Sequence, residues 1–170
     1  MSKHGIRVIY DGCEMQFTEC KYVAFCKLLR WDYQFQPHEM NWYLPDLLVR
    51  YDGLLHYIDV KGGAANRAQL ERESQKLFTN SQGYEGRKTL VGTDPTIYLG
   101  DPLPLPDAWR ELWNEAVGIA DECRRQKYKS PRPINQITSL VGSVELVELK
   151  KPANQKTSTP ITSFNSRPAF

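Results

Sequence analysis

The spacing of hydrophobic positions divides the first part of the chain into short strands and helices. Residues 6–10 form a β-prone run that ends at the turn signal Asp11-Gly12. Apolar side chains then recur at i, i+3, i+4 and i+7, which predicts a helix over about residues 18–30 with Thr18 as its N-cap. Residues 31–36 are aromatic and extended, and Pro37 ends that run.

The stretch from Trp42 to Gly63 is predicted to contain a β-hairpin. Two β-prone runs flank Asp52-Gly53, a dipeptide suited to a two-residue type I′ turn. The elements predicted after it are a helix over 64–80, strands at 88–91 and 96–99, a helix from the N-cap Asp107 to about Tyr128, and a strand at 143–149. This order favours an α/β domain with a mixed sheet flanked by helices. Residues 151–170 are rich in Ser, Thr, Pro and Asn and are expected to be unstructured.

The hairpin register brings acidic side chains together. If Asp52 and Gly53 are the two loop residues, Tyr51 lies opposite Leu54 and Asp46 lies opposite Asp59, provided that no bulge intervenes. Lys61 is two residues beyond Asp59 and emerges on the same face of the sheet. The sequence therefore predicts two carboxylates and one ammonium group in a small patch.

Two adjacent carboxylates repel each other unless a cation lies between them. Mg²⁺ takes oxygen ligands and needs only one or two protein carboxylates together with substrate phosphate. The Val60 carbonyl could add an oxygen, and Lys61 could orient the attacking water or stabilise charge on a phosphate. The alternative is a surface charge cluster of little energetic consequence, since the chain also contains Glu19-Cys20-Lys21 and Glu148-Leu149-Lys150.

The pattern resembles the signature of the PD-(D/E)XK nuclease superfamily. Pro45-Asp46 is similar to the PD element, and Asp59-Val60-Lys61 is similar to the (D/E)XK element. The resemblance covers about residues 6–128 and is closest to small bacteriophage and bacterial nucleases. It implies a restriction-endonuclease-like core and hydrolysis of DNA. The cysteine pattern favours a cytoplasmic protein, which would be in the host cytoplasm if the protein is phage-encoded.

The resemblance also implies roles for single residues. Asp46, Asp59, Val60 through its carbonyl, and Glu19 would form the site for Mg²⁺, for which Mn²⁺ could substitute, and Lys61 would act near the water. Glu19 has an alternative role as favourable negative charge in the first turn of a helix. Gln75 corresponds to a functional Gln of some exonuclease-like members, but a solvent-facing helix residue is the simpler interpretation.

Charge is distributed unevenly along the chain. Residues 1–123 contain 13 Lys and Arg against 18 Asp and Glu, a net of −5, whereas residues 124–170 contain nine against two, a net of +7. The basic cluster predicted to contact DNA phosphates consists of Arg124, Arg125, Lys127 and Lys129. The alternative is a solvated basic segment with no partner. The domain organisation predicted is a nuclease-like domain over 1–130 and a basic extension over 131–170.

Composition narrows the remaining function classes. The 170 residues are 41% hydrophobic and 25% charged, which is typical of a globular protein and excludes collagen and wholesale disorder. The four cysteines contain no C-x-x-C pair, and no apolar run is long enough to span a membrane, so we expect a soluble intracellular protein.

The function expected is metal-dependent hydrolysis of DNA phosphodiesters, with an endonuclease favoured. One alternative is a DNA-binding or assembly module without catalysis. Another is a nuclease subunit that needs a second copy or a partner protein for target recognition.

Overall fold

The computed structural model describes residues 5–73 and 75–129, all of which belong to one compact unit, Met1–Pro131. A five-stranded mixed sheet is built, in spatial order, from β3 (Asp32–Phe35), β4 (Leu47–Tyr51), β5 (Leu54–Val60), β6 (Arg87–Val91) and β7 (Tyr98–Gly100). Strands β5 and β6 pair in parallel, and the other neighbours pair antiparallel. Before this sheet, β1 (Arg7–Tyr10) and β2 (Cys13–Gln16) form a separate hairpin.

Helices cover both faces of the central sheet. On one face α1 (Phe17–Leu28) and α4 (Trp109–Lys129) pack in a single apolar cluster with inward residues of β4, β5 and β6. On the other face lie the short helices α2 (Arg67–Arg72) and α3 (Lys76–Asn80), each anchored by one fully buried leucine, Leu70 and Leu77. The mixed α/β architecture predicted from the sequence is therefore confirmed.

The first helix begins earlier than predicted. Strand β2, which was not predicted, leads directly into α1, and Gln16 rather than Thr18 is the N-cap. The Glu19 carboxylate accepts a hydrogen bond from the Gln16 backbone N–H at 2.7 Å, so the cap comes from a residue inside the first turn. The Thr18 side chain instead packs against Gly62, which follows β5.

The single helix predicted over 64–80 is also wrong, since two short helices occupy that range. Asn66 caps α2 by accepting a hydrogen bond from the Gln69 N–H, which delays the start of the helix. Glu73 then adopts an extended conformation and ends α2, and Gln75 is the N-cap of α3. The helix predicted from Asp107 begins at Trp109, and the last strand is displaced from 96–99 to Tyr98–Gly100.

The C-terminal predictions concern residues that the structure does not describe. The extension over 131–170, with its strand at 143–149 and its unstructured tail at 151–170, lies outside the described residues. The domain boundary at residue 130 therefore stays a prediction. Among the helices in the described part of the chain, none is long and apolar enough to cross a membrane.

Candidate active site

The β4–β5 hairpin has the predicted turn and register. Asp52 and Gly53 both have positive φ, 47° and 73°, as a type I′ turn requires. Tyr51 pairs with Leu54, and the ladder continues to its last pair, Leu47 with Ile58. Asp46 and Asp59 are the next residues outward in this register, so the turn chemistry alone fixes which residues meet at the far end of the hairpin.

The two aspartates are in direct electrostatic contact. Asp46 Oδ2 accepts a hydrogen bond from the Val60 backbone N–H at 2.7 Å, which ties the residue before β4 to the end of β5. Burial first, and then the neighbouring Asp59 carboxylate, raise the pKa of Asp46 to about 9, although the hydrogen bond from the Val60 N–H lowers it. Without a bound cation, Asp46 therefore holds a proton at neutral pH.

Asp59 is buried with an incompletely satisfied carboxylate. The residue is 2% exposed, and Lys61 Nζ lies 2.7 Å from Asp59 Oδ2. Apart from that ion pair, Asp59 Oδ2 has no hydrogen-bond partner within residues 5–73 and 75–129. The Lys61 ammonium offsets part of the cost of burying this anionic oxygen, and a metal cation is a further partner that its chemistry favours.

Lys61 links the buried pair to solvent. Its side chain is 25% exposed, whereas that of Asp59 is 3% exposed. The ammonium group can therefore reach both the carboxylate below it and a ligand that approaches from outside. An anionic ligand such as a phosphodiester would meet Lys61 first.

The Val60 carbonyl is directed toward the Asp46 side of β5. A trans peptide points its N–H and its C=O in opposite directions. The Lys61 N–H donates to the Val91 carbonyl of β6 at 2.8 Å, so the Val60 C=O in the same peptide faces the β4 side. The Val60 N–H faces that side as well, because it donates to Asp46. Three oxygen-bearing groups, from Asp46, Asp59 and Val60, thus converge at the end of the hairpin.

Tyr43 is a neighbour of the site that sequence reasoning missed. Its hydroxyl oxygen is buried and has no hydrogen-bond partner among the described residues. Burial first, and then the Asp59 and Asp46 carboxylates, raise the pKa of this hydroxyl well above its usual value. The signal in the sequence is position: Tyr43 lies three residues before Asp46, in the segment that brings that aspartate to the sheet.

Glu19 lies near the pair but has a structural role in this arrangement. Its charge contributes to the raised pKa of Asp46, although it is the smallest of the contributions. Its buried carboxylate is used by the helix cap at Gln16. A close packing contact places α1 here: a Cβ built on Gly62 would meet Thr18 Cγ2 at 2.2 Å. The assignment of Glu19 as a metal ligand stays a prediction.

The oxygen atoms of the site suit a hard divalent cation that takes only a few ligands from the protein. In the described ranges 5–73 and 75–129, no group of three or more His, Cys, Asp or Glu side chains could hold a metal ion. The carboxylates available to a metal ion are therefore those of Asp46 and Asp59, and the Val60 carbonyl lies on the same side. Mg²⁺ commonly binds through one or two carboxylates and keeps several waters, and the unsatisfied Asp59 Oδ2 fits that demand.

The basic residues predicted to contact phosphates lie at the end of α4, and most have intramolecular partners. Arg124 pairs with Asp121 and lies over the Phe17 ring, and Arg125 pairs with Glu122. The Lys127 ammonium donates to the Arg7 carbonyl at 2.7 Å, while Lys129 is exposed at the helix end. These contacts are mostly exposed and weak, so a phosphate could displace them. Their role in DNA binding stays a prediction.

Two further polar residues, His56 and Gln75, lie outside the carboxylate pair. His56 lies on β5 and is fully buried. Its ring nitrogens contact the Tyr51 hydroxyl at 2.8 Å and the Thr89 hydroxyl, so hydrogen bonds compensate for its burial. Gln75 is exposed and caps α3, as its solvent-facing interpretation allows.

Comparisons with protein-family models, with curated proteins and with solved structures found no match for this chain. The chemistry of the site must therefore support any functional assignment.

Proposed function

We propose that this protein is a metal-dependent deoxyribonuclease with a restriction-endonuclease-like core, and that it acts as an endonuclease. The observation that carries the proposal is the Asp46–Asp59 pair, placed in register by the hairpin, in which Asp59 is buried and forms a 2.7 Å ion pair with Lys61. A site that serves only DNA binding would gain nothing from two carboxylates placed next to the bound phosphate.

The residues that would hold the cation are Asp46, Asp59 and the Val60 carbonyl. When bound, Mg²⁺ or Mn²⁺ supplies a water of lowered pKa and neutralises charge on the phosphate. Asp46 must release its proton before it can act as a ligand, because its pKa is about 9 in the cation-free protein. Cation affinity is therefore expected to rise with pH through the neutral range.

Lys61 has a separate task in this mechanism. Its partly exposed ammonium group can donate hydrogen bonds to a phosphate oxygen while it stays paired with Asp59. In that position it stabilises the negative charge that develops as water attacks, and it orients the phosphodiester without forming a covalent intermediate. Tyr43 and the buried surroundings of Asp59 exclude bulk water beneath the reacting group.

The test is cleavage of supercoiled plasmid and of linear single-stranded DNA with Mg²⁺, Mn²⁺ or EDTA. We expect metal-dependent nicking that falls by a factor of about 10³ or more in Asp59→Ala and in Lys61→Ala. Asp52→Asn is the matched control, because it removes a carboxylate from the exposed turn of the same hairpin and keeps an Asn-Gly turn.

Two results would contradict the proposal. Nicking that persists in Asp59→Ala would place the chemistry elsewhere or in a contaminant. DNA binding without cleavage under any metal would favour a binding module or a subunit that depends on a partner.

A further inference from the structure

We infer that Trp42 is a base-stacking residue, which makes single-stranded DNA, or a strand with an unpaired nucleotide beside the scissile phosphate, the substrate class of this site. The inference rests on the proposed function, because it takes the Asp46–Asp59 pair as the place where the phosphate lies. Its evidence is the conformation, the exposure and the anchoring of one short turn.

The turn consists of Asn41 and Trp42, and it has a backbone that a tryptophan rarely adopts. Both residues have positive φ, 47° for Asn41 and 68° for Trp42. Met40 and Tyr43, on either side, exchange both backbone hydrogen bonds, at 2.6 and 2.9 Å. A two-residue turn of this kind favours glycine at its second position, and a bulky side chain there is strained.

The turn is anchored on three sides, so the strain is maintained. Met40 is fully buried between the sheet and α3, in a cluster with Leu77. The Asn41 side chain donates to the Asn80 carbonyl of α3 at 2.7 Å. Tyr43 is fixed beside the carboxylate pair. Strain that persists because the surroundings fix the backbone is a recurrent property of functional sites.

Trp42 gains no packing in return for this strain. The residue is 94% exposed, the most exposed of the large hydrophobic residues in the described ranges 5–73 and 75–129. A glycine at this position would relieve the backbone and remove an apolar surface from water. The fold therefore derives no stability from the indole, which points to a ligand as its partner.

The position of the turn indicates what that ligand is. Trp42 is four residues before Asp46, so the two Cα atoms are at most about 14 Å apart, since an extended chain spans up to about 3.6 Å per residue. That distance corresponds to about four stacked nucleotides, at 3.4 Å each along one strand. A DNA strand with a phosphate at the carboxylates would thus bring a nearby base to the indole.

The chemistry favours an unpaired base. Inside a duplex both faces of a base are already stacked, and an exposed indole has access only to an end, a bulge or a single strand. Stacking on an aromatic side chain tolerates any base sequence, because every base has a π-face. Trp42 would therefore select for strand state rather than for sequence.

The experiment measures binding of oligo(dT) and of a blunt duplex to the full chain in EDTA, so that no cleavage occurs. We expect Trp42→Gly to weaken oligo(dT) binding about tenfold, to abolish most of the tryptophan quenching on binding, and to leave duplex binding unchanged. Trp42→Phe should retain most of the affinity. Ile9→Ala, which truncates another exposed apolar side chain, is the matched control and should bind as the parent does.

The stability of Trp42→Gly separates this role from a structural one. Because glycine suits the backbone, its midpoint of thermal unfolding should equal or exceed that of the parent. A fall in both stability and binding would mean that Trp42 supports the fold, and unchanged oligo(dT) binding would mean that it is not a stacking residue. Self-association that is lost in Trp42→Gly, with no effect on DNA, would assign the indole to a protein contact.

The two proposals fail in different ways. If the protein cleaves DNA with metal but Trp42→Gly binds oligo(dT) as the parent does, the nuclease proposal stands and the stacking role is refuted. If oligo(dT) binding depends on Trp42 but no metal supports cleavage, the stacking role stands and the nuclease proposal is refuted.

Discussion

Strand β5 contains two buried polar residues, His56 and Asp59, whose surroundings differ. His56 is inaccessible to solvent, and both of its ring nitrogens are within hydrogen-bonding distance of hydroxyl groups, from Tyr51 and Thr89. Asp59 is nearly as buried, but its Oδ2 atom has only an ion pair with Lys61 and faces a second carboxylate, Asp46. The two residues are three positions apart on the same seven-residue strand.

The difference separates a structural residue from a candidate catalytic one. Burial lowers the pKa of His56 to about 4, so the ring is neutral and its hydrogen bonds are those of a core residue. At the other end of the strand, burial and like charge create a cost that the Lys61 ion pair offsets only in part. A buried group whose cost is only partly compensated is a stronger functional candidate than one that is fully paired.

The largest effect expected outside the cleavage assay is on stability at His56. His56→Ala leaves a cavity and removes one of the two hydrogen-bond partners of the Thr89 hydroxyl, so we expect a loss of about 3 kcal/mol in the free energy of unfolding. Urea unfolding measures it. His38→Ala is the control: that residue is exposed, its ring has a single 3.3 Å hydrogen bond, with the Tyr57 hydroxyl, and its loss should cost less than about 1 kcal/mol. Equal losses would refute the distinction.

The next prediction concerns acid. In the folded state the pKa of His56 is about 4, below the usual 6.5, so the unfolded chain binds a proton first as pH falls. The stability that neutral His56 provides is present above pH 6.5 and is lost as pH falls toward 4. We expect the stability difference between the parent and His56→Gln to shrink by up to about 3 kcal/mol over that range. A difference independent of pH would mean that the ring is protonated in the fold.

Local chemistry explains which parts of the fold were predictable. Asp52-Gly53 specifies a turn whose geometry fixes the register, and the register fixes Asp46 opposite Asp59 without any tertiary information. The break between α2 and α3 was not predictable, because the composition of 64–80 suits a continuous helix. There the Asn66 cap and the separate burial of Leu70 and Leu77 override helix propensity.

The same limit applies to the site. The carboxylates and Lys61 follow from alternation along strands, which is local. The burial of His56 depends on Thr89, which is 33 residues away on β6, and the place of Tyr43 depends on how the segment before β4 folds over the sheet. The strained backbone at Trp42 could not be predicted either, because Asn41-Trp42 lacks the glycine that is typical of such a turn.

A smaller effect is expected where α1 meets the end of β5. A Cβ at Gly62 would lie 2.2–2.6 Å from the Thr18 side chain, so Gly62→Ala must displace the first turn of α1. We expect a loss of about 2 kcal/mol and a disproportionate fall in cleavage, since Lys61 is the preceding residue. Gly63→Ala is the matched control, because nothing lies within 4 Å of its Cβ. Equal behaviour of the two variants would show that α1 does not position the site.

The last effect has the opposite sign and concerns Asp46. Its folded pKa of about 9 lies above the usual 3.8, so its carboxyl costs stability progressively as pH rises from about 4 to 9. Asp46→Asn keeps an acceptor for the Val60 N–H without the charge. We therefore expect no gain near pH 4 and a gain that grows as pH rises through 7 in EDTA.

In EDTA at pH 7 we expect Asp46→Asn to be more stable than the parent, and divalent cations should reverse that order. Mg²⁺ or Mn²⁺ that binds only the folded parent raises its unfolding midpoint in proportion to RT ln(1 + [L]/Kd), whereas Asp46→Asn has lost a ligand and should gain little. The measurement is thermal unfolding of both proteins across a metal titration at pH 7, with Asp52→Asn as the variant that should respond like the parent. An equal metal response in Asp46→Asn would mean that the repulsion at the end of β5 serves no cation, and the contrast with His56 would lose its functional meaning.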